Sequence, residues 1–113
     1  MTVYLISDVG AVAAEDQSAW EAYLALAPAT IRQYGGRYLA RGGNVDVIEG
    51  NWSPHALVVA EFPDRDAVTR WYASPEYAEA LKIRAASKLH RNMICVEGTV
   101  DGSPDDLMRP SAK

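Results

Sequence analysis

The fold of this chain is decided by residues 34–43, which read YGGRYLARGG. The pair Gly35-Gly36 is typical of a helix end, because the residue after the last turn often adopts a positive φ that disfavours a Cβ. Residues 37–41 then alternate polar positions with apolar and aromatic ones, which indicates a strand. Gly42-Gly43 removes side chains just before a β-prone run at 45–48, so we predict a bulge or a close backbone approach there.

Before this stretch, the sequence predicts one strand and one helix. Val, Tyr, Leu and Ile are dense at 2–9, which favours a strand. Apolar residues at helical spacing predict a helix that ends near Tyr34, and Ser18 with Glu21 fits a capping box at its start. Pro28 lies inside this helix, and we expect a kink rather than a break because the apolar stripe resumes in phase after it.

After this stretch, the sequence predicts a hairpin, two helical segments and a last strand. Asp64 and Ser74 are the predicted N-caps of the two helical segments. The hairpin arms are expected at 37–48 and 56–62, the helical segments at 64–72 and 74–89, and the last strand at 92–96. The order β-α-β-β-α-β is that of a ferredoxin-like α+β protomer with an antiparallel sheet.

Three of the predicted strands contain four consecutive apolar residues, at 3–6, 57–60 and 93–96. An antiparallel sheet with one face in water should instead alternate apolar and polar residues. The two helical regions can cover only one face of the sheet, so something else has to cover the other. We expect a second copy of the chain to do so, which predicts a homodimer.

Four longer segments follow one another in a fixed order: YGGRYLARGG at 34–43, VIEG at 47–50, AEFPDRDAVTRWYASPEYAEALKIR at 60–84 and ICVEG at 94–98. Together they resemble the DUF1330 family of small bacterial proteins, over about residues 3–98. The resemblance implies a ferredoxin-like protomer that pairs into a dimeric α+β barrel. It implies no activity, since the family is named for lacking one. We expect residues 1–100 to form this domain and 101–113 to be a flexible tail.

Composition excludes several classes of protein. The chain has 113 residues, enough for a single domain with its own core, and its net charge of −4 argues against a nucleic-acid binder. No run approaches the roughly 20 apolar residues that span a membrane. The first residues lack the features of a signal peptide, so we expect a cytoplasmic protein.

Known catalytic and metal-binding signatures are absent from the sequence. His55 and His90 have no ligand-like spacing to each other or to Cys95, and we expect structural or surface roles for both. Cys95 lies in an apolar run typical of an inert core thiol. We therefore expect no metal and no cofactor.

The candidate site consists of arginines, tyrosines and carboxylates near the predicted strand ends. Arginine offers a planar fork for carboxylates, and tyrosine an O–H group on an apolar ring. Such a mixture suits an organic acid or an enolisable carbonyl compound. The candidate catalytic residues are Glu61, Arg41 and Tyr72, and the candidate substrate-binding residues are Arg84, Arg37, Tyr34, Tyr23 and Asp8.

Each candidate also has a structural interpretation. Without a bulge, strand alternation would put Arg37 and Arg41 on one face, and Arg41 could form an ion pair with Glu61 across neighbouring strands. Tyr23 and Tyr34 lie on the apolar stripe of the first helix, which favours core packing.

Two functions from different classes fit this pattern. The first is a cofactor-independent enzyme, an isomerase, a cyclase or a monooxygenase-like protein, that acts on a small carbonyl or carboxylate compound. Glu61 would then be the general acid/base, Arg41 and Arg84 would hold negative charge, and Tyr72 would orient the ligand. The second is a non-catalytic metabolite-binding or accessory protein. Haem or metal binding is a third hypothesis, supported only by two scattered histidines.

Overall fold

The structure, a computed structural model, describes residues 1–88 and 91–99. The predicted tail at 101–113 and His90 lie outside the described residues. Four strands and three helices follow one another in the described chain, with a short 3-10 turn at Ala14–Asp16 before the first helix. They are β1 (Val3–Val9), α1 (Gln17–Gln33), β2 (Arg37–Arg41), β3 (Ala56–Phe62), α2 (Arg65–Tyr72), α3 (Pro75–Ala85) and β4 (Arg91–Glu97).

The strands form one antiparallel sheet in the order β2-β3-β1-β4. With α2 and α3 together forming the second helical region, the β-α-β-β-α-β order is confirmed. Val3 lies opposite Phe62 of β3 and opposite Glu97 of β4. Because side chains alternate along a strand, this register determines which residues share a face of the sheet.

One face of the sheet is covered by the helices and contains the core. Trp71 lies at its centre, with its ring centroid 4.2 Å from that of Tyr77 and 5.7 Å from that of Phe62. The Trp71 indole N–H donates to Thr30 Oγ1 at 3.0 Å, so its polar edge is satisfied inside the core. Cys95 is partly buried and packs against the same core.

Two of the three predicted helix N-caps agree with the structure. Asp64 accepts the backbone N–H of Ala67 at 2.8 Å, and Ser74 accepts that of Tyr77 at 3.0 Å, so both predicted N-caps are confirmed. The predicted capping box at Ser18 is wrong: α1 begins at Gln17, after the 3-10 turn, and no side chain caps it.

The helix α1 continues through Pro28, so the predicted absence of a break is confirmed.

Two element ends differ from the prediction. The helix α3 ends at Ala85 rather than near Leu89, and β2 ends at Arg41 rather than at Ile48. Residues 42–55 contain no helix or strand: the Gly42 N–H still donates to Leu57 O at 3.1 Å, but the β-prone run at 45–48 forms no strand.

The glycine pair after α1 has two separate structural reasons. Gly35 adopts a φ of +89°, the conformation predicted for the residue that ends a helix. Gly36 is required by packing, since a Cβ there would lie 2.7 Å from Ile31 Cγ2 and 2.8 Å from Phe62 Cζ. The pair therefore brings β2 tightly against the end of α1.

The second face of the sheet, called here the open face, is not covered by any helix among the described residues. Ile94 is 62% exposed and Val96 is 46% exposed on this face. By strand alternation its members are Tyr4, Ile6, Asp8, Leu57, Val59, Glu61, Asn92, Ile94 and Val96. An apolar face of this kind is what the sequence predicted.

No helix in the described part of the chain combines the length and apolarity needed to cross a membrane.

Candidate functional site

A cavity of about 280 Å³ lies between the helix-covered face of the sheet and α1; we call it the central cavity. Its walls are mostly apolar, because alternate residues of the strands and one side of α1 meet there. The apolar side chains that line it include Leu5, Val9, Val58, Ala60 and Met93 from the sheet and Trp20, Leu24, Ala27 and Ile31 from α1.

A small number of polar side chains interrupts these walls: Ser7, Tyr23, Tyr38, Arg41, His55 and Arg91. None of the described residues lining the central cavity is an aspartate or a glutamate. Two guanidinium groups in a mostly apolar cavity without a carboxylate make it electropositive. Such a cavity favours a ligand that carries negative charge or strong hydrogen-bond acceptors.

Arg41 reaches the central cavity because of a bulge in β2. Arg37 lies opposite Glu61 and Tyr38 opposite Ala60, but the register then shifts so that Ala40 lies opposite Val59. Leu39 is the extra residue of this bulge, and Arg41 consequently lies opposite Val58, on the helix-covered face. The bulge was predicted at Gly42-Gly43 and occurs three residues earlier.

Arg91, at the start of β4, belongs to a hydrogen-bond chain with two buried tyrosines. Its Nη1 donates to Tyr23 Oη at 2.6 Å, and Tyr23 Oη is 2.6 Å from Tyr77 Oη. Burial raises the pKa of Tyr77 well above its usual value, chiefly because the charged form would be desolvated. Tyr77 therefore stays neutral and fixes the position of Tyr23 and, through it, that of Arg91.

Both cavity arginines also lie over aromatic rings. Arg41 Cζ is 4.8 Å from the centroid of the Tyr38 ring, and Arg91 Cζ is 5.0 Å from that of Tyr23. Burial raises the pKa of Tyr38, although the nearby guanidinium groups of Arg41 and Arg91 oppose this effect. Its hydroxyl therefore remains available as a neutral donor or acceptor at ordinary pH.

Of the predicted site residues, only Arg41 and Tyr23 line the central cavity. Arg84 lies near it, with its Cζ 5.8 Å from the Tyr23 ring centroid, but does not line it. Tyr72 ends α2 with its side chain half in solvent, and lines a separate depression beside β4. Tyr34 donates to Glu76 Oε1 at 2.7 Å and so connects the end of α1 to α3.

The remaining predicted site residues belong to the open face. Glu61 pairs with Arg37 Nε there, and the ion pair with Arg41 that the structural interpretation allowed does not form. The physical reason is the bulge, which turns Arg41 to the opposite face from Glu61. Asp8 also lies on the open face, where its Oδ2 accepts the indole N–H of Trp52 at 3.1 Å. From these positions Glu61, Arg37 and Asp8 do not contact the central cavity.

Four polar residues of the central cavity were not among the sequence candidates, namely Arg91, His55, Ser7 and Tyr38. No pattern in the sequence singled out Arg91, because residues 93–96 are all apolar and so do not show which face of the last strand is buried. His55 precedes β3 immediately, but no pattern in the sequence connects it to Arg41. Across residues 1–88 and 91–99, no group of three His, Cys, Asp or Glu side chains is placed to hold a metal ion.

Comparison with solved structures supports the fold. A protein of unknown function from Rhodopseudomonas palustris is 19% identical, with a TM-score of 0.67 over 87% of this chain and 82% of that one. A dimeric protein of unknown function with a ferredoxin-like fold from Bacteroides fragilis is 22% identical, with a TM-score of 0.53 over 86% and 96%. A candidate antibiotic biosynthesis monooxygenase from Nitrosomonas europaea is 16% identical, with a TM-score of 0.57 over 87% and 98%. At these identities the likeness shows the fold alone.

Comparison at the sequence level gives one result. The family model of a domain of unknown function, DUF1330, matches residues 2–99. No curated protein matches the sequence.

Proposed function

Since the chain belongs to the DUF1330 family, whose name assigns no activity, we propose a function from the geometry of the central cavity: it binds a small organic carboxylate or carbonyl compound. One observation carries this proposal. The central cavity is apolar over most of its surface, yet contains Arg41 and Arg91 with no carboxylate among its described lining residues. A guanidinium beside apolar walls and without a carboxylate partner among the described residues suits an anionic or strongly accepting ligand.

The size of the central cavity supports a small ligand. Its volume of about 280 Å³ lies just below the range of about 300–1,000 Å³ that is usual for drug-sized molecules. Trp20, Tyr23 and Tyr38 provide aromatic surface for a flat or apolar ligand body. Arg41 and Arg91 can each bind a carboxylate or polarise a carbonyl oxygen.

Catalysis on the bound compound is the second candidate function, and His55 favours it. Imidazole is the side chain best suited to exchange a proton near neutral pH, and His55 lies at the central cavity beside the strand that faces Arg41. Arg41 and Arg91 would stabilise oxyanion charge as it develops. A cofactor-independent isomerase, cyclase or monooxygenase-like reaction is consistent with these groups. A non-catalytic metabolite-binding protein would use the same contacts without His55.

We also propose that a second copy of the chain covers the open face, giving a homodimer. The exposed Ile94 and Val96 support this, because single-chain proteins rarely leave contiguous apolar surface in water. The Bacteroides fragilis protein of similar fold is itself described as dimeric.

The binding proposal is tested by titrating small carboxylates and carbonyl compounds into the protein in a calorimeter. We expect Arg41→Met to weaken binding by at least about tenfold, the effect of losing one charge-assisted hydrogen bond. Arg41 is exposed and has no ion pair within residues 1–88 and 91–99, so its loss should change the free energy of unfolding by under about 1 kcal/mol.

Arg70→Met is the matched control, because Arg70 pairs with Asp66 on the surface of α2 and does not line the central cavity. The control should bind like the wild type. A wild-type protein that binds none of these compounds, or an Arg41→Met protein that binds them equally well, would contradict the proposal. His55→Gln then separates the two candidate functions, since it should abolish turnover and preserve binding only if the protein is an enzyme.

A further inference from the structure

The two cavity arginines lie on the two edge strands of the sheet, β2 and β4. Arg41 lies opposite Val58 in β3, Val58 lies opposite Ser7 in β1, and Arg91 starts the strand beyond β1. Three inter-strand spacings of about 4.8 Å separate β2 from β4, so the two backbones are about 14 Å apart. Both side chains nevertheless line one cavity. The guanidinium groups therefore approach the ligand from opposite edges.

Each guanidinium lies over an aromatic ring, and among the described residues the two make only one hydrogen bond between them, from Arg91. Arg41 lies over the Tyr38 ring, and Arg91 lies over the Tyr23 ring and uses Nη1 on Tyr23 Oη. A guanidinium has five N–H donors, so one such bond leaves a fork for a second acceptor. Neither arginine has a carboxylate partner in the described part of the chain, whereas Arg65 pairs with Glu97 there.

The surface between the two arginines is mostly apolar, although Ser7 of β1 lies between Val58 and Met93 there. Val58, Val9 and Met93 form its floor on the sheet, and Trp20 and Leu24 face them from α1. A ligand with a single charged group would bind one arginine and leave the N–H fork of the other without an acceptor from the ligand. A ligand with acceptors at both ends and an apolar middle would satisfy both.

We propose that the central cavity selects two-ended ligands, in which an apolar or aromatic body carries a carboxylate at one end and a second carboxylate or carbonyl oxygen at the other. Arg91 binds one end and Arg41 binds the other. This inference rests on the proposed binding function and adds to it the class of ligand. The Arg91 end is the more rigid one, because Tyr23 and Tyr77 hold it, and the Arg41 end is the more exposed one.

The test compares three benzene derivatives of similar shape by calorimetric titration: benzoate, 4-acetylbenzoate and terephthalate. We expect the wild type to bind terephthalate at least about tenfold more tightly than benzoate, since a second charge-assisted hydrogen bond is formed. The affinity for 4-acetylbenzoate shows whether a neutral carbonyl suffices at the second end. In Arg41→Met and in Arg91→Met the preference for terephthalate should fall to nearly none, while Arg70→Met should retain it.

Arg91→Met also removes a donor from the buried Tyr23, so Arg91→Lys is the second variant. Lysine keeps the charge and loses the fork, and it should reduce the terephthalate preference in a protein that still folds. Equal wild-type affinities for benzoate and terephthalate would overturn the inference while leaving the proposed binding function intact. The inference would also be overturned if only one of the two arginine substitutions reduced the preference for terephthalate. Failure to bind any carboxylate or carbonyl compound would count against the binding function itself.

Discussion

At the scale of single residues, the site depends on a contact that links three distant parts of the chain. Tyr23 Oη lies within 2.6 Å of both Tyr77 Oη and Arg91 Nη1. Because a guanidinium only donates, the Tyr23 hydroxyl accepts a hydrogen bond from Arg91. It forms a second hydrogen bond with the Tyr77 hydroxyl. Arg91 is thereby fixed before any ligand arrives, which reduces the entropy lost on binding.

This contact predicts an unusual dependence of stability on alkaline pH. The pKa of Tyr77 is raised in the folded state from its ordinary value of 10.0, chiefly by burial, whereas the unfolded chain ionises at the ordinary value. Above about pH 10 the folded state therefore binds more protons than the unfolded state, and the free energy of unfolding falls as pH rises, by up to about 1.4 kcal/mol per pH unit. Below that pH, this contribution is fully present.

Tyr77→Phe is the variant that isolates the effect. It keeps the ring packed on Trp71 but removes one hydrogen bond, so at about pH 8 it should be less stable than the wild type by about 1 kcal/mol. The difference should shrink and then reverse as the pH is raised towards about 11, because the variant has no phenol to hold neutral. Urea unfolding of both proteins at several pH values measures this difference in the free energy of unfolding. A difference that stays constant with pH would show that Tyr77 ionises as readily in the folded protein as in the unfolded chain.

At the scale of elements, the junction between α1 and β2 is closely packed. Gly35 supplies the positive φ that ends α1, and Gly36 allows the backbone to approach Ile31 and Phe62. The junction orients the first residues of β2 against β3, so that Arg37 lies opposite Glu61. A substitution that disturbs this junction would shift β2, the strand from which Arg41 reaches the central cavity.

We predict that Gly36→Ala destabilises the protein by about 1–3 kcal/mol, because its Cβ would lie 2.7 Å from Ile31 Cγ2 and 2.8 Å from Phe62 Cζ in a packed core. Gly43→Ala is the control. A Cβ at Gly43 meets nothing within 4 Å and the residue has no positive φ, so alanine there should be neutral or stabilising by up to about 1 kcal/mol. Equilibrium urea unfolding of both variants measures these changes in the free energy of unfolding. Equal effects from both would mean that the junction is looser than the distances indicate.

At the scale of the whole molecule, the sheet is asymmetric. One face contains the core and the central cavity, and the open face has exposed aliphatic side chains such as Ile94 and Val96. The ion pair of Arg37 and Glu61 and the bond between Trp52 and Asp8 also lie on the open face. Polar groups at its periphery around an apolar middle are the arrangement expected of a surface that pairs with a second copy.

The proposed homodimer predicts a mass of about twice 12.3 kDa in sedimentation equilibrium at micromolar concentration. Ile94→Lys introduces a charge into the open face and should shift the protein to the monomer, since a buried unpaired charge opposes association. Leu26→Lys is the control: Leu26 is 40% exposed on α1, away from the open face, and its replacement should leave the dimer intact. A wild-type monomer, or a dimer that Ile94→Lys does not affect, would refute the proposal.

The sequence by itself determined the order of the elements, two of the three helix starts and the apolar character of both faces of the sheet. These features depend on local chemistry. Asp64 and Ser74 each cap a helix that begins at the next residue, and Gly35 ends a helix through its own φ. The alternation or continuity of apolar residues likewise needs no knowledge of the neighbouring strand.

Only the tertiary structure decided which side chains meet. Leu39 forms a bulge because of how β2 pairs with β3, and that single extra residue separates Arg41 from Arg37 and Glu61. Tyr23 meets Tyr77, 54 residues away, and Arg91, 68 residues away. Strand register and helix docking are set by the packing of distant segments, and a shift of one residue moves a side chain to the opposite face. For that reason the sequence placed Arg41 among the candidate site residues but did not connect it with Arg91, its partner in the central cavity.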